Sequence, residues 1–327
     1  MKKNVAVVGA TGLVGRTMLK VLQERSFPID NLYLFASAKS AGTSVEFMGK
    51  TYTVQELTES NVKSHKIDIA LFSAGSGVSE KFAPVFASAG AIVIDNSSQW
   101  RMDKNVPLVV PEVNPQAALA HHGIIANPNC STIQAVVALK PLHDAFKIKR
   151  IVYSTYQAVS GAGKMGLQDL TDGEKGVPPK KFPHAIAHNI LPHIDVFESD
   201  GYTKEELKMI NETRKILGDE SLRITATTAR VPVYYGHSES INIEFFSPVT
   251  REAALDVLRK AKGVIVCDDP KSNAYPMPLD AEGRDEVFVG RVRQDNSVGS
   301  GLNIWVVADN IRKGAATNAV QIAELFV

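Results

Sequence analysis

Residues 5–15 read Val5-Ala6-Val7-Val8-Gly9-Ala10-Thr11-Gly12-Leu13-Val14-Gly15. The continuous apolar run before Gly9 is typical of a parallel strand that is buried on both faces of a sheet. From Leu13 to Leu22 the apolar residues recur with the spacing of a helix. The glycines between these elements allow a tight turn, in which backbone N–H groups at a helix start can hold a pyrophosphate. The stretch therefore predicts the strand, loop and helix that begin a dinucleotide-binding domain.

Strands and helices alternate through the first third of the chain. Apolar runs predict further strands at 32–35, 67–72, 91–95 and 108–110, and a helix at 81–89. Short βαβ connections of this kind fold with right-handed crossovers. The expected fold class is α/β, with an N-terminal Rossmann-type doubly wound sheet over residues 1–128.

The remainder of the chain shows a different strand pattern. Strands are predicted at 151–156, 222–227, 241–246 and 287–289. Their stronger alternation of apolar and polar residues fits a half-exposed, mixed sheet. We therefore expect a second, α+β domain over residues 129–303. A final helix within 314–326 is expected to return to the first domain, to which we assign residues 304–327.

Composition excludes several classes of protein. The chain has 327 residues, of which 44% are hydrophobic and 22% charged, which is ordinary for a globular protein of two domains. A formal net charge of +1 gives no global field that would favour nucleic acid or a membrane surface. No signal peptide is expected, and no apolar stretch approaches the roughly 18 residues that cross a membrane. Only two cysteines are present, and Cys267 is expected in a buried strand. We expect a cytoplasmic location.

The segment after the second strand distinguishes between the two nicotinamide cofactors. An NAD site would place Asp or Glu about 20 residues beyond the phosphate loop, on the ribose hydroxyl. Here the sequence is Ala36-Ser37-Ala38-Lys39-Ser40-Ala41-Gly42, without an acidic residue. Hydroxyl groups and a lysine suit the 2′-phosphate of NADP, although the same residues would also suit a solvated surface loop.

A reactive cysteine is predicted in Asn127-Pro128-Asn129-Cys130-Ser131-Thr132. The Asn-Pro-Asn turn leads into a helix-forming run at 133–139, so the N–H groups and the positive dipole end of a helix would face the sulfur. Such a position lowers the pKa of a thiol from about 8.5 and makes it a usable nucleophile. Taken alone, the segment is also compatible with an inert, buried cysteine.

A cysteine nucleophile requires a base, and His237 is the candidate among eight histidines. It follows Gly236 and precedes small polar residues, which would permit an exposed imidazole. Arg230, seven residues earlier, could hold a carboxylate. Gln157, at a predicted strand end, could orient a carbonyl group. Each of these residues, taken alone, could equally have a structural role.

Two other segments are assigned structural roles. His184, His188 and His193 lack the glutamate of an H-E-x-x-H motif, so packing or surface positions are favoured over a metal site. Thr203 and Glu206 fit a capping box at the start of a helix, whose remaining charges are expected to form a solvated face.

Together these motifs resemble those of the aspartate-semialdehyde dehydrogenases. The resemblance rests on residues 9–15, 127–132, Gln157 with 160–163, 230–237 and Asp309-Asn310-Ile311-Arg312-Lys313-Gly314-Ala315-Ala316. It implies NADPH-dependent reductive dephosphorylation of 4-phospho-L-aspartate to L-aspartate 4-semialdehyde through a cysteine thioester, in the biosynthesis of lysine, threonine, methionine and diaminopimelate. It further implies a homodimer or homotetramer without a metal ion, in which residues 129–303 serve catalysis and oligomerisation.

The resemblance also implies a role for each candidate residue. Cys130 is implied as the acyl-thioester nucleophile, His237 as the acid/base and Gln157 as a substrate-orienting residue. Arg230 with Glu205 would hold the amino-acid end of the substrate. The implied phosphate contacts are Arg101, Asn129 and Lys208. The implied NADP contacts are Thr11, Gly12, Leu13, Val14, Ser37, Lys39, Ser40, Ala41, Ser160, Gly161 and Asn310.

Three other interpretations compete with this one. Another phosphorylating acyl-phosphate reductase, such as N-acetyl-γ-glutamyl-phosphate reductase or glyceraldehyde-phosphate dehydrogenase, shares the chemistry but differs around the cysteine. A non-catalytic, NADP-sensing Rossmann protein would use Cys130 and His237 in packing. A cysteine hydrolase with Cys130, His237 and Gln157 fits poorly with an N-terminal dinucleotide loop.

Overall fold

The computed structural model describes residues 1–327 as two compact units, Met1–Asn129 with Ala315–Val327 and Cys130–Gly314. The strands are β1 (Lys3–Val8), β2 (Ile29–Ala36), β3 (Ser44–Phe47), β4 (Lys50–Thr53), β5 (Gln55–Glu56), β6 (Ile69–Phe72), β7 (Ile92–Asp95), β8 (Ile124–Ala126), β9 (Ile148–Gln157), β10 (Arg223–Arg230), β11 (His237–Phe245), β12 (Val264–Val266), β13 (Val287–Gln294) and β14 (Gly301–Ala308). The α-helices are α1 (Leu13–Glu24), α2 (Glu59–Lys63), α3 (Ser76–Ser88), α4 (Cys130–Phe146), α5 (Gly163–Gly173), α6 (Lys204–Leu217), α7 (Arg251–Lys260), α8 (Pro278–Ala281) and α9 (Thr317–Glu324). None of these helices combines the length and apolar character that crossing a membrane requires.

The first unit is built on a six-stranded sheet in the order β5-β2-β1-β6-β7-β8. All of its strand pairs are parallel. Val5 and Val7 of β1 share a buried core with Met18 of α1 and Val320 of α9. The predicted doubly wound α/β sheet is confirmed, and the buried apolar run of β1 lies at its centre.

The strand predicted at 108–110 is wrong. Leu108 makes only an isolated parallel bridge with Ala126. The Asn114 side chain donates to the carbonyl oxygen of Leu108 and accepts the N–H of Val110, both at 2.9 Å. Because a side chain takes these backbone groups, they do not form a strand ladder. The edge of the sheet is instead formed by β8, whose three residues the sequence analysis did not identify as a strand.

The second unit is built on another six-stranded sheet, in the order β10-β9-β11-β14-β13-β12. β9 pairs with β10 and β12 with β13 in parallel, whereas the other three pairs are antiparallel. The predicted mixed sheet is therefore confirmed. One face of the sheet packs against α4 and α6. The opposite face carries partly exposed side chains such as Tyr156 and Trp305.

The second unit extends further along the chain than the sequence predicts. Residue 304, the predicted boundary, lies inside β14, which pairs with β11 on one side and β13 on the other. The unit consequently extends to Gly314, and its other boundary lies one residue later than predicted. α9 belongs to the first unit, where it packs against α1, β6 and β7.

Cys267 is not the buried strand residue that its sequence context predicts. It follows β12 and is only half-buried. β12 is an edge strand of the second sheet, and all three of its residues are partly exposed. An apolar sequence at a sheet edge therefore accounts for the error.

Candidate active site

The predicted phosphate loop lies between β1 and α1 in the first unit. Gly9 has a φ of +82°, and a Cβ there would lie 2.3 Å from the carbonyl oxygen of Ser73. A Cβ on Gly15 would lie 2.2 Å from the carbonyl oxygen of Gly9, so the loop and the helix approach closely. α1 begins after Gly12, which provides no side-chain cap. An anion at this helix end would meet backbone N–H groups and the positive end of the dipole.

The loop after β2 contacts the phosphate loop. Ala38–Ser40 form a 3₁₀ turn that Ser37 precedes. The Thr11 hydroxyl donates to Ser40 Oγ at 3.5 Å. Lys39 is exposed, and residues 36–42 include no acidic side chain. The donor set therefore fits a ribose 2′-phosphate, which a carboxylate in this loop would repel.

The turn before Cys130 is held by Asn127, which is fully buried. Its Nδ2 donates to Asn96 Oδ1 at 2.6 Å, and its Oδ1 accepts from Asn318 Nδ2 at 2.7 Å. Arg101, a predicted phosphate contact, is buried in the same unit and donates to the carbonyl oxygens of Asn127 at 3.0 Å and Asn96 at 2.9 Å. Its guanidinium is thus fixed by the backbone next to Asn129, which is also buried.

Cys130 is the first residue of α4, so the predicted helix start at this cysteine is confirmed. One turn later, Gln134 Nε2 donates to the carbonyl oxygen of His237 at 3.2 Å, which joins the first turns of α4 to the start of β11. A Cβ on Gly314 would lie 2.8 Å from Cys130 Cβ. Gly314 therefore leaves the space that the cysteine occupies.

Three further predicted site residues, Gln157, Arg230 and His237, lie in one row at the ends of adjacent strands. Arg230 of β10 pairs with Gln157 of β9. Ser238 of β11 pairs with Tyr156, which places His237 beside Gln157. The Gln157 side chain donates to Glu205 of α6, so the row lies on the face of the sheet that α4 and α6 cover. Tyr156, the preceding residue of β9, points to the opposite face. All three residues of the row are buried.

Ala158 connects the arginine to the histidine through its backbone. Arg230 Nη1 donates to the Ala158 carbonyl oxygen at 2.8 Å, and the Ala158 N–H donates to His237 Nδ1 at 3.0 Å. Burial lowers the pKa of Arg230, while Glu205 and the Cys130 sulfur oppose that shift. The sulfur and the guanidinium are therefore electrostatically coupled within the second unit.

His237 is held as a neutral imidazole with a defined tautomer. Burial and the neighbouring Arg230 lower its pKa to about 3. Because Nδ1 accepts a backbone N–H, the single proton of the neutral ring resides on Nε2. Nε2 is buried and has no hydrogen-bond partner within the chain. The ring therefore offers one N–H donor to a reacting group.

Glu205 and Lys208 of α6 extend the row into a charged network. Gln157 Nε2 donates to Glu205 Oε1 at 3.1 Å, and Lys208 Nζ donates to Glu205 Oε2 at 3.0 Å and to Asp195 Oδ2 at 2.7 Å. Burial alone would lower the pKa of Lys208, but Glu205 and Asp195 outweigh it and raise the pKa. The expected solvated face of α6 is therefore wrong, because Glu205 is buried against the row. The capping box of Thr203 and Glu206 is confirmed.

The predicted cofactor contacts of the second unit lie together. Ser160 and Asn310 exchange hydrogen bonds at 3.0 and 3.2 Å, and Asn310 Oδ1 accepts the Gly236 N–H at 3.0 Å. A Cβ on Gly161 would lie 2.9 Å from Arg230 Nη1 and 3.4 Å from His237 Nε2. A flat ring could approach the histidine over Gly161, because glycine has no side chain to fill this space.

The three histidines of the segment 184–193 do not join this site. His184 and His188 are exposed, and His193 stacks on Phe197 with 4.3 Å between ring centroids. No group of three or more potential metal ligands assembles in the chain.

Sequence comparison places the chain in a family. Residues 139–313 match the family model "Semialdehyde dehydrogenase, dimerisation domain", and residues 4–121 match "Semialdehyde dehydrogenase, NAD binding domain". The aspartate-semialdehyde dehydrogenase of Aquifex aeolicus is 60% identical, with 100% of this chain and 98% of the relative aligned. The chain belongs to the aspartate-semialdehyde dehydrogenase family. The Campylobacter jejuni member is 52% identical over the same shares of both chains.

Solved structures of the family agree with the fold. The crystal structure of aspartate semialdehyde dehydrogenase II from Vibrio cholerae, complexed with ASA, has a TM-score of 0.96 at 51% identity, covering 100% of this chain and 98% of that chain. The Candida albicans aspartate semialdehyde dehydrogenase with NADP has a TM-score of 0.78 at 27% identity, with the same coverage. The two-domain α/β architecture is therefore that of the family.

Proposed function

We propose that this chain is an NADP-dependent aspartate-semialdehyde dehydrogenase, which reduces 4-phospho-L-aspartate to L-aspartate 4-semialdehyde and phosphate. The observation that carries the proposal is the buried row of Arg230, Gln157 and His237, joined through Gln134 to the helix that begins at Cys130. The names of the family members and the ASA complex of the Vibrio cholerae relative support the substrate. The reaction would serve amino-acid biosynthesis in the cytoplasm.

The chemistry begins with the Cys130 thiolate. It attacks the acyl carbon of the phosphorylated substrate, a carbon–sulfur bond forms, and phosphate leaves with the electron pair of the broken carbon–oxygen bond. Gln157, which lies beside His237, would orient the carbonyl group. The Nε2–H of His237 donates to the carbonyl oxygen, where negative charge develops when the thioester is reduced. The collapse of the reduced thioester releases the aldehyde and regenerates the thiolate.

The cofactor site is assigned to the loops around the phosphate turn. Thr11 to Val14 would hold the pyrophosphate, and Ser37, Lys39, Ser40 and Ala41 the ribose 2′-phosphate. Ser160, Gly161 and Asn310 would contact the nicotinamide end, where Gly161 leaves room for a flat ring. NADPH, when bound, supplies the hydride. The absence of an acidic side chain at residues 36–42 supports NADP over NAD.

Charged side chains are assigned to the two ends of the substrate. Arg230 would bind the α-carboxylate through parallel N–H donors, and Glu205 the α-amino group. In the first unit, Arg101 and Asn129 are assigned to phosphate, as is Lys208 in the second. The Lys208 ammonium has three donors, of which Glu205 and Asp195 occupy two, so one is available for phosphate.

The second unit would also form the subunit interface. The face of its sheet opposite α4 carries Tyr156 and Trp305, whose rings lie 5.4 Å apart, with Tyr275 and Met277 partly exposed nearby. Such an apolar face is typical of a homodimer contact. A homodimer is the assembly that we propose, and sedimentation of the purified chain would distinguish it from a monomer or a tetramer.

A phosphate-dependent assay tests the proposed function. The purified chain should reduce NADP in the presence of aspartate semialdehyde only when inorganic phosphate is supplied. NAD should replace NADP poorly. Activity with N-acetylglutamate semialdehyde in place of aspartate semialdehyde would assign the chain to another acyl-phosphate reductase. Binding of NADP without any turnover would indicate a sensor.

A further inference from the structure

Arg230 is restrained by more than its hydrogen bond to Ala158. Its backbone forms an antiparallel bridge with Leu191, with N–H to O distances of 2.8 and 3.0 Å. Its guanidinium carbon lies 5.9 Å from the centroid of the Phe182 ring, within the range of a cation–π contact. Only Nη1 has a hydrogen bond within the chain, to Ala158. The aromatic ring is therefore a second neighbour of the guanidinium, besides the Ala158 carbonyl.

The backbone that carries the ring is bound by a single buried carboxylate. Phe182 lies in a proline-rich segment, residues 177–183, that has no helix or strand. Asp169 of α5 accepts the backbone N–H groups of Lys180 at 2.9 Å, Lys181 at 2.7 Å and Phe182 at 2.9 Å. Burial alone would raise the pKa of Asp169, but the three N–H donors outweigh it and lower the pKa. Asp169 thus remains ionised and binds three consecutive residues of the segment.

A glycine allows the ring to lie against the same helix. A Cβ on Gly166 would lie 3.3 Å from Phe182 Cζ, 2.4 Å from the carbonyl oxygen of Val159 and 2.7 Å from Ala162 Cβ. Phe182 also packs on a buried apolar cluster that includes Val159 and Leu191. The position of the ring is therefore determined on one side by apolar packing and on the other by Asp169.

We propose that Phe182 is a positioning residue that sets the plane of the Arg230 guanidinium for the substrate carboxylate, and that Asp169 holds Phe182 in place. The inference rests on the proposed function of Arg230. A carboxylate accepts two parallel N–H bonds only when the guanidinium plane is aligned with it. Because the Arg230 guanidinium carbon lies over the Phe182 ring, a cation–π contact favours the orientations that keep the guanidinium there. No sequence motif indicates a role for Phe182 or Asp169.

The test compares substitutions at both ends of the contact. Phe182→Leu keeps apolar bulk and removes the aromatic face, and we expect the KM for aspartate semialdehyde to rise about three- to tenfold while kcat changes less than about twofold. Phe182→Tyr retains the aromatic ring and should keep the KM of the parent. The dissociation constant for NADP should be unchanged in both variants. An unchanged KM in Phe182→Leu, or equal losses with semialdehyde and NADP, would overturn the inference.

Arg230→Lys separates this inference from the proposed function. Lysine keeps the positive charge but lacks the parallel N–H donors of a guanidinium. The variant should therefore lower kcat/KM for the semialdehyde by about tenfold to a hundredfold without weakening NADP binding. Adding Phe182→Leu to Arg230→Lys should then lower kcat/KM little further, because lysine has no guanidinium plane for the ring to align. If Arg230→Lys has no effect, the carboxylate role of Arg230 fails. If it has its effect and the two losses multiply, only the role of Phe182 fails.

Asp169→Asn tests whether Asp169 holds Phe182 in place, with Asp172→Asn as the matched control. An asparagine offers one acceptor oxygen for three N–H donors, so the KM for the semialdehyde should rise as in Phe182→Leu. Asp172 lies on the same helix, and its carboxylate accepts from the Gln168 side chain. Its only bond to the segment that carries Phe182 is from the Val177 N–H to the backbone carbonyl oxygen, which the substitution leaves in place. Its variant should retain the KM of the parent. A KM equal to that of the parent in a folded Asp169→Asn protein would show that Asp169 is not needed to hold Phe182 in place.

Discussion

At the scale of single residues, the proposed reactivity of Cys130 rests on its position as the first residue of α4. Cys130→Ser should reduce turnover by a factor of about a thousand or more, because a serine hydroxyl at the same site stays un-ionised. NADP binding, measured by fluorescence titration, should be retained. Cys267→Ser is the control, since burial and the nearby Asp280 and Asp268 raise the pKa of the Cys267 thiol and make it a poor nucleophile. Full turnover in Cys130→Ser would contradict the assignment.

The residues that could be predicted from the sequence are those whose type and local context together indicate chemistry. Cys130 follows a turn and begins a helix, and both signals lie within a few residues of it. Ala158 had no such signal, because every residue except proline carries the N–H and C=O groups that it uses. Asp195 was missed for another reason. It bonds Lys208 from 13 residues away, across a loop whose path no periodicity defines.

At the scale of elements, the loop after β2 should set the cofactor preference. Lys39→Ala should lower the ratio of kcat/KM for NADP to that for NAD by about three- to tenfold, because one exposed charge on the 2′-phosphate is lost. Steady-state kinetics with both cofactors measures this ratio. Lys63→Ala, which removes an exposed lysine of α2 in the same unit, controls for the change in net charge. An unchanged ratio in Lys39→Ala would remove this contact from the proposal.

Elements with long apolar runs were predictable, and short or interrupted ones were not. Val5–Val8 of β1 and all four residues of β6 are apolar and buried at the centre of a parallel sheet. β8 has three residues and gives no pattern, and the side chain of Asn114 removes a strand that the apolar run at 108–110 predicts. β14 was missed although its apolar run was available in the sequence. Its omission led to the early domain boundary.

At the scale of the whole molecule, the two units contribute different chemistry. The proposed nucleophile Cys130, His237 and Arg230 all lie in the second unit, on α4 and on the ends of β11 and β10. The phosphate loop and the loop after β2 lie in the first. The row of Arg230, Gln157 and His237 therefore depends on the folding stability of the second unit, whose core also contains a carboxyl group to which the proposed mechanism assigns no role.

Glu239 is that group, and it makes the stability of the protein depend on pH. It lies two residues after His237 on β11, is fully buried, and neither carboxyl oxygen has a hydrogen-bond partner. Burial raises the pKa of Glu239 well above its usual value of 4.5. Between pH 4.5 and the raised pKa, the unfolded chain releases a proton that the folded state retains. Stability therefore falls as pH rises, by up to about 1.4 kcal/mol per pH unit, until the folded pKa is reached.

Glu239→Gln removes this dependence, because the amide has nearly the same shape and stays neutral at every pH. We expect the variant to melt at a higher temperature than the parent at pH 8, and the difference to shrink toward pH 5. Thermal unfolding across this range measures both slopes. Glu244→Gln, on the same strand, provides the contrast: the hydrogen bond from Lys149 lowers the pKa of Glu244, so its loss should bring no gain at alkaline pH. Parallel pH profiles for the parent and Glu239→Gln would show that Glu239 ionises in the folded protein as it does in the unfolded chain.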